Sequence, residues 1–273
     1  MPIENTMEAL YASPAFLYFV TLALGLCIGS FLNVVVYRLP ITLEKEWKTD
    51  CCSLLDIEQP EPENTKPFNL MFPNSHCPNC KHNIRMWENI PVLSYLILKG
   101  KCAGCQQAIS LRYPLVELAT GLLSVLVVYL LGFTLQAGLA LVLTWCLISL
   151  TLIDIDTQLL PDNITLPLVW LGLIVNSFSV YVSLPEALWG AIGGYLSLWS
   201  VFWLFKIATG KEGMGYGDFK LLALFGAWLG WQYIPLIILL SSVVGAVIGI
   251  TMIILTKKDH TIPIPFGPYL AAA

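Results

Sequence analysis

Charge is what this sequence has least of. Only 12% of its 273 residues are Asp, Glu, Lys or Arg, against roughly a quarter in an ordinary soluble domain. So few charges exclude a disordered chain and a coiled coil, and 14 Lys and Arg against 18 Asp and Glu exclude the basic surface of a nucleic-acid-binding protein. Histidine is scarce too. His76, His82 and His260 all lie outside the apolar runs, so no Ser-His or Cys-His pair can form among them, and there is no H-E-x-x-H helix. Neither a low-complexity tract nor an internal repeat is evident. In place of charge, 57% of the chain is hydrophobic, with 9 Trp, 11 Tyr and 12 Phe, and mean hydropathy is +0.74. Such a chain belongs in a membrane.

A membrane helix needs about 20 mostly apolar residues. Runs of that kind fall at about 14–37, 113–132, 138–153, 164–183, 187–206 and 235–256, with a shorter one at 219–233. An eighth starts at Pro265-Phe266-Gly267-Pro268-Tyr269-Leu270 and is cut off at Ala273. The expected fold is therefore all-α and polytopic, with about seven to eight transmembrane helices. The first run follows Glu4 and Glu8 rather than basic residues and is too long for a cleavable signal peptide. Nine of the 14 Lys and Arg sit in 38–112: Arg38, Lys45, Lys48, Lys66, Lys81, Arg85, Lys99, Lys101 and Arg112. The positive-inside rule makes that insert cytosolic and the N-terminus periplasmic. Lys206, Lys211, Lys220, Lys257 and Lys258 agree with the alternation that follows, which puts 154–163 and 207–218 in the cytosol. Three regions result: a periplasmic N-terminus and first helix at 1–37, an insert at 38–112, and a helical membrane domain at 113–273. Gly25/Gly29, Gly190/Gly194, Gly226/Gly230 and Gly245/Gly249 are small-xxx-small pairs that let helices approach closely. Asp56–Pro67, acidic and proline-bearing, reads as a surface loop.

Within the insert, Cys77-Pro-Asn-Cys80 is followed after 21 residues by Cys102-Ala-Gly-Cys105. Two C-x₂-C knuckles offer four thiolates from two tight turns, which is a zinc-ribbon pattern. A closed four-sulfur shell has no open position, so the zinc is structural, and a reducing cytosol disfavours two disulfides. Metal binding also lets an insert with few aliphatic residues fold. Cys27 and Cys146 read as packing residues in apolar helices, and Cys51-Cys52 as free thiols.

Carboxylates at membrane depth are functional candidates by default. Glu117 follows Arg112-Tyr113-Pro114 and is expected in a first helical turn, where the dipole favours it. Glu186 follows Pro185 at an interface, and Glu212 reads as a solvated loop residue. Two groups remain, the run Ile153–Asp162 and the run Gly215-Tyr216-Gly217-Asp218, with Asp154 and Asp218 lying 64 positions apart. Two carboxylates brought together from distant segments share one proton. The ionised one can then take a proton from water while the other polarises a scissile carbonyl. Residues two apart on a helix point about 200° away from each other, so Asp154 and Asp156 cannot both serve, and helix geometry alone leaves the choice between them open. Asp162, after Pro161, suits a helix cap. The glycines beside Asp218 permit close backbone approach. The rival to a protease is a transporter or proton relay, but the paired repeats and broken helices of such folds are not seen.

The chain resembles the type IV prepilin peptidases, bifunctional leader peptidase/N-methyltransferases of bacterial inner membranes and aspartic proteases of the GxGD type. The resemblance rests on Gly29-Ser30-Phe31-Leu32-Asn33-Val34-Val35, the paired knuckles, Arg112–Leu118, Ile153–Asp162, Gly215–Lys220 and Pro265-Phe266-Gly267-Pro268. It implies that Asp154, the first aspartate of its pair, is catalytic with Asp218. It also implies prepilin and type II secretion pseudopilin substrates, cut typically after Gly and before a hydrophobic residue, often Phe. The new amine would then be methylated from S-adenosylmethionine. Relative to the family, the C-terminus looks shortened by about one helix. The Gly-rich 210–217 lacks the preceding strand of a nucleotide-binding turn, so no residue is assigned to the methyl donor, and the insert is the expected place for that second activity.

Overall fold

The computed structural model describes residues 13–57, 68–256 and 265–273. Glu4, Glu8, Lys66, Lys257, Lys258, His260 and most of the expected Asp56–Pro67 loop lie outside the described residues. The described residues form nine α-helices and two one-turn 3₁₀ helices, with isolated β-bridges in place of strands. Five segments are long and apolar enough to cross a membrane: Pro14–Leu54, Arg112–Leu131, Leu135–Thr157, Leu184–Thr209 and Trp231–Thr251.

The chain divides into two compact units, 1–149 and 150–273. In the first, α1 (Pro14–Leu54) packs along α3 (Arg112–Leu131), and the described residues of the insert between them carry a 3₁₀ turn (Met86–Asn89) and α2 (Leu93–Ile97). The apolar run ends near Tyr37, but α1 continues through Pro40 to Leu54. The centre of its polar half, Leu43-Glu44-Lys45-Glu46, consists of good helix formers and is braced by the i,i+4 pair Glu44–Lys48 at 2.7 Å in the favourable order. Arg38 is 7% exposed, and its guanidinium donates to the carbonyls of Asn69, Leu70 and Pro73. The returning chain is thereby pinned against the helix. Gly29 allows close contact here, since a methyl on it would stand 2.7 Å from Glu117 Cα. Cys27, expected to pack, is exposed, while Cys51 and Cys52 are free.

The α4 helix (Leu135–Thr157) spans the boundary between the units. In the second unit, α5 (Asp162–Ser177), α6 (Leu184–Thr209), α7 (Tyr216–Leu229), α8 (Ile234–Thr256) and the short α9 (Gly267–Ala272) follow. The α7 helix packs against α5 and α6 and is also touched by α9. It is apolar on every side, as a core helix must be: Leu221 to Trp228 are all buried. The glycine pairs act as expected between α6 and α7, because a methyl on Gly190 or Gly226 would overlap the backbone of the other.

Two expected spans are shorter than the sequence implies. The 164–183 run stops at Ser177 because the buried Asn176 turns its amide to the carbonyls of Ala227 and Trp228 and its oxygen to the N–H groups of Tyr181 and Val182. The 219–233 run breaks at Gly230, which has φ +84°, so α7 has 14 residues. That is about 21 Å of helix, short of the hydrocarbon thickness.

Candidate functional site

Two sites stand apart in the chain, one of sulfur and one of carboxylate. The four cysteine Sγ atoms of Cys77, Cys80, Cys102 and Cys105 lie within 4.8 Å of one another. The Cys77–Cys105 and Cys80–Cys102 separations are 3.8 and 3.9 Å, and a tetrahedral thiolate shell with metal–sulfur bonds near 2.3 Å has edges of about 3.8 Å. Backbone N–H groups of Cys80 and Asn79 press the Cys77 thiol down to about 6, and that of Gln107 lowers Cys105. Donors of this kind favour thiolate, the form a metal takes, while Cys80, although it accepts a backbone hydrogen bond at His82, is pushed up to about 11 by burial and by the neighbouring sulfurs.

The two knuckles are copies of one another, an internal repeat not evident in the sequence. Adding 25 to each number carries one onto the other. Cys77 N–H donates to His82 O and Cys102 N–H to Gln107 O; Ile84 N–H donates to Ser75 O and Ile109 N–H to Gly100 O. Lys81 and Gln106 have φ of +59° and +58°. The bridges His76↔Asn83 and Lys101↔Ala108 correspond as well. The signal was present as C-x₂-C-x₃-I, ending at Ile84 and Ile109. His82 leans on Glu88 at 3.1 Å, and the Arg85 N–H holds that carboxyl below its ordinary range.

Glu117 lies in the second turn of α3 rather than the first, 8% exposed. It accepts a 2.8 Å hydrogen bond from the N–H of Val92, a residue at φ +60°. This membrane-helix carboxylate thus holds the far end of the insert in place.

In the second unit, the phase of α4 gives its two aspartates different surroundings. Asp154 is 4% exposed, whereas Asp156 is exposed. Asp154 Oδ2 accepts the N–H of Gly267 at 3.1 Å. Gly267 has no room for a side chain: a methyl there would stand 2.6 Å from that same oxygen and 3.3 Å from Leu160 Cδ1. Leu160 also fills the space over Gly217, where a methyl would lie 2.8 Å from Leu160 Cβ. Asp218, in the first turn of α7, is 6% exposed. Leu160 therefore lies against the two glycines that neighbour the two aspartates, and burial first, then the charge of Asp154, push the Asp218 carboxyl up to about 7. Among the described residues, Asp218 Oδ1 is the buried side-chain oxygen or nitrogen with no hydrogen-bond partner. The arrangement brings together two buried carboxyls, one anchored by a backbone donor and one with a free oxygen. That suits a shared proton and a bound water.

The remaining acids are accounted for otherwise. Asp162 is not a cap: Pro161 precedes the helix in that position, and the Asp162 carboxylate takes both oxygens to Lys220 Nζ at 2.7 and 2.8 Å. Glu186 closes a capping box with Ser183. Glu212, expected to be merely solvated, pairs with Lys206 at 2.7 Å. The Gly210–Gly217 connection follows helix α6, so it is not the strand-to-helix turn of a nucleotide site. Gly267 and Leu160 are the residues of this site that the sequence reading did not single out, although Gly267 lies within the Pro265–Pro268 motif.

Family models for the bacterial peptidase A24 N-terminal domain and the type IV leader peptidase family match residues 23–131 and 141–250. A prepilin leader peptidase/N-methyltransferase of Pseudomonas aeruginosa is 59% identical over 98% of this chain and 91% of its own length. One of Stutzerimonas stutzeri is 57% identical over 98% and 92%, and one of Aeromonas salmonicida 55% identical over 100% and 92%. No solved structure matches.

Proposed function

The chain belongs to the type IV leader peptidase family, and from that premise we propose that Asp154 and Asp218 are the catalytic pair of a prepilin leader peptidase/N-methyltransferase. The observation that carries this is the buried, mutually interacting pair of carboxyls in which Asp218 Oδ1 has no protein partner. A water bound between the two gives its proton to the ionised carboxylate, and its oxygen adds to the scissile carbonyl carbon. The protonated carboxyl donates to the carbonyl oxygen as charge develops there. Collapse of the tetrahedral intermediate breaks the C–N bond, and the leaving amine takes up the proton. The Gly267 N–H keeps Asp154 aimed through this cycle.

The enzyme is a multi-pass membrane protein of the inner membrane. With the N-terminus periplasmic and 38–112 cytosolic, the basic leader of the substrate is cut at the cytosolic face while its apolar segment stays in the bilayer. The insert's four cysteines would hold Zn²⁺ in a closed shell, which supplies folding free energy and no open coordination position. S-adenosylmethionine supplies the methyl group for the amine freed by cleavage.

The test is mass spectrometry of a purified prepilin incubated with the enzyme and S-adenosylmethionine in lipid. Loss of the leader with one added methyl is expected. Loss of the leader alone would remove the methyltransferase half of the reading, and an untouched prepilin would overturn it whole.

A further inference from the structure

We propose that Met86–Ile97, the apolar loop carried between the two cysteine knuckles, dips into the cytosolic leaflet of the bilayer and fixes the insert to the membrane surface. The inference rests on the topology proposed above, in which 38–112 is cytosolic. Six large apolar side chains of this loop are exposed: Met86 (90%), Trp87 (62%), Ile90 (43%), Leu93 (57%), Leu96 (65%) and Ile97 (74%). Leu93, Leu96 and Ile97 stand at i, i+3 and i+4 of α2, which puts them on one face. Tyr95 turns the other way, and its hydroxyl donates to Ile109 O of the second knuckle at 3.4 Å. The helix thus rests one side on that knuckle and presents the other outward. A contiguous apolar patch of this kind marks an interaction surface.

Depth, charge and backbone bonding make lipid its occupant. Glu117, which accepts the Val92 N–H at 2.8 Å, belongs to the second turn of α3, a helix long and apolar enough to cross the membrane. It lies about 7 Å along that helix from Arg112, and interfacial elements sit about 5–10 Å into the headgroup and acyl boundary. At the same level α3 exposes its own Leu115, 60% accessible, so the loop continues a lipid-facing surface.

Within Met86–Ile97 the one charged residue is Glu88, and its carboxylate is turned back to the His82 ring and the Arg85 N–H at 3.1 and 2.9 Å. Basic side chains collect instead at the base of the loop. Lys81 and Arg85 precede it, Lys99 and Lys101 follow it, and all four are exposed, where anionic headgroups attract them. The Arg85 guanidinium lies 5.4 Å from the centre of the Trp87 ring, and tryptophan is the residue enriched at the headgroup level. The N–H groups of Leu93, Ser94, Leu96 and Leu98 donate to carbonyls of the same loop, the condition for entering a medium without water.

The test places a fluorescent amino acid at Leu96 of the full-length enzyme, in vesicles of phosphatidylethanolamine and phosphatidylglycerol. Lipids brominated on the acyl chain and aqueous iodide serve as quenchers. Probes at Leu123, within the α3 span, and at Asp50, on the polar half of α1, set the two limits. Brominated lipid is expected to quench Leu96 to within about twofold of Leu123, and iodide to quench it about fivefold less than Asp50. A probe at Ile97 decides if the Leu96 variant does not fold. Iodide quenching equal to that at Asp50, with none by brominated lipid, overturns the proposal. Iodide quenching that is strong in the free enzyme and lost on adding prepilin overturns it in favour of a substrate-binding face. Inverted and right-side-out membrane vesicles separate the topology from the dip. Iodide outside inverted vesicles is expected to reach Asp50. If it reaches Asp50 only in right-side-out vesicles, the topology fails, and with it the choice of leaflet.

Discussion

The two sites of this molecule are built in opposite ways. The sulfur site is local: both knuckles and everything that shapes them fall between Ser75 and Ile109, and each repeats the other's hydrogen bonds at an offset of 25. The carboxylate site is assembled from Asp154, Asp218 and Gly267, with Asp154 and Gly267 being 113 residues apart. A local site can draw its folding free energy from the ion it binds. The nonlocal site has no such source and depends on helices that approach closely enough to place two carboxyls near each other. Burying that pair is costly, and the packing of α7 against α5 and α6 has to offset it.

Four experiments would break or sharpen this contrast. The largest effect belongs to metal removal. A chelator, or Cys102→Ser, should expose residues 77–109 to protease, consistent with the roughly 10–16 kcal/mol that a structural zinc contributes, while cleavage sites within 150–256 stay protected. Protection of both regions after metal loss would mean the knuckles fold without it. Next comes Asp218→Asn, expected to slow prepilin cleavage about 10⁴-fold with unchanged helical circular dichroism. Gly267→Ala ranks third. Its methyl displaces the Asp154 carboxylate, and a misplacement near 1 Å costs about 10²-fold in kcat/KM. Unaltered kinetics there would show that Asp154 does not need this anchor. The smallest is Lys220→Met, which removes a half-exposed ion pair to Asp162 worth about 1 kcal/mol or less. A few-fold loss of activity is expected, and high salt should reproduce it in the wild type.

Local patterns were legible in the sequence, and contacts between distant segments were not. The four cysteines, the polytopic all-α fold and the GxGD run could be read because each lies within a few residues of itself or within one apolar stretch. The choice between Asp154 and Asp156 could not be made from helix phase, since phase says that the two diverge but not which side meets α7 and α9. Gly267 is near Asp154 only through the fold, and nothing in Pro265–Pro268 names its partner. The early end of α5 at Ser177 follows from the hydrogen bonds of Asn176 to carbonyls 51 and 52 positions away. The continuation of α1 through Pro40 was hidden by the change from apolar to polar residues at Arg38, which alters the surroundings of the helix and not its backbone. Asp162 and Lys220 are 58 positions apart, so their pairing had no local sign and Asp162 was read as a cap.

The central claim is that Asp154 and Asp218 act as one unit, and the cleavage rates of Asp154→Asn, Asp218→Asn and the double variant test it most directly. Groups that act as a unit lose nearly all function when either is removed, so the losses do not add. The account predicts that both single variants and the double variant fall to the same background rate, with the helical membrane fold intact in each. A single variant that keeps a tenth or more of wild-type cleavage, or a double variant slower than either single by the product of two modest losses, would contradict it.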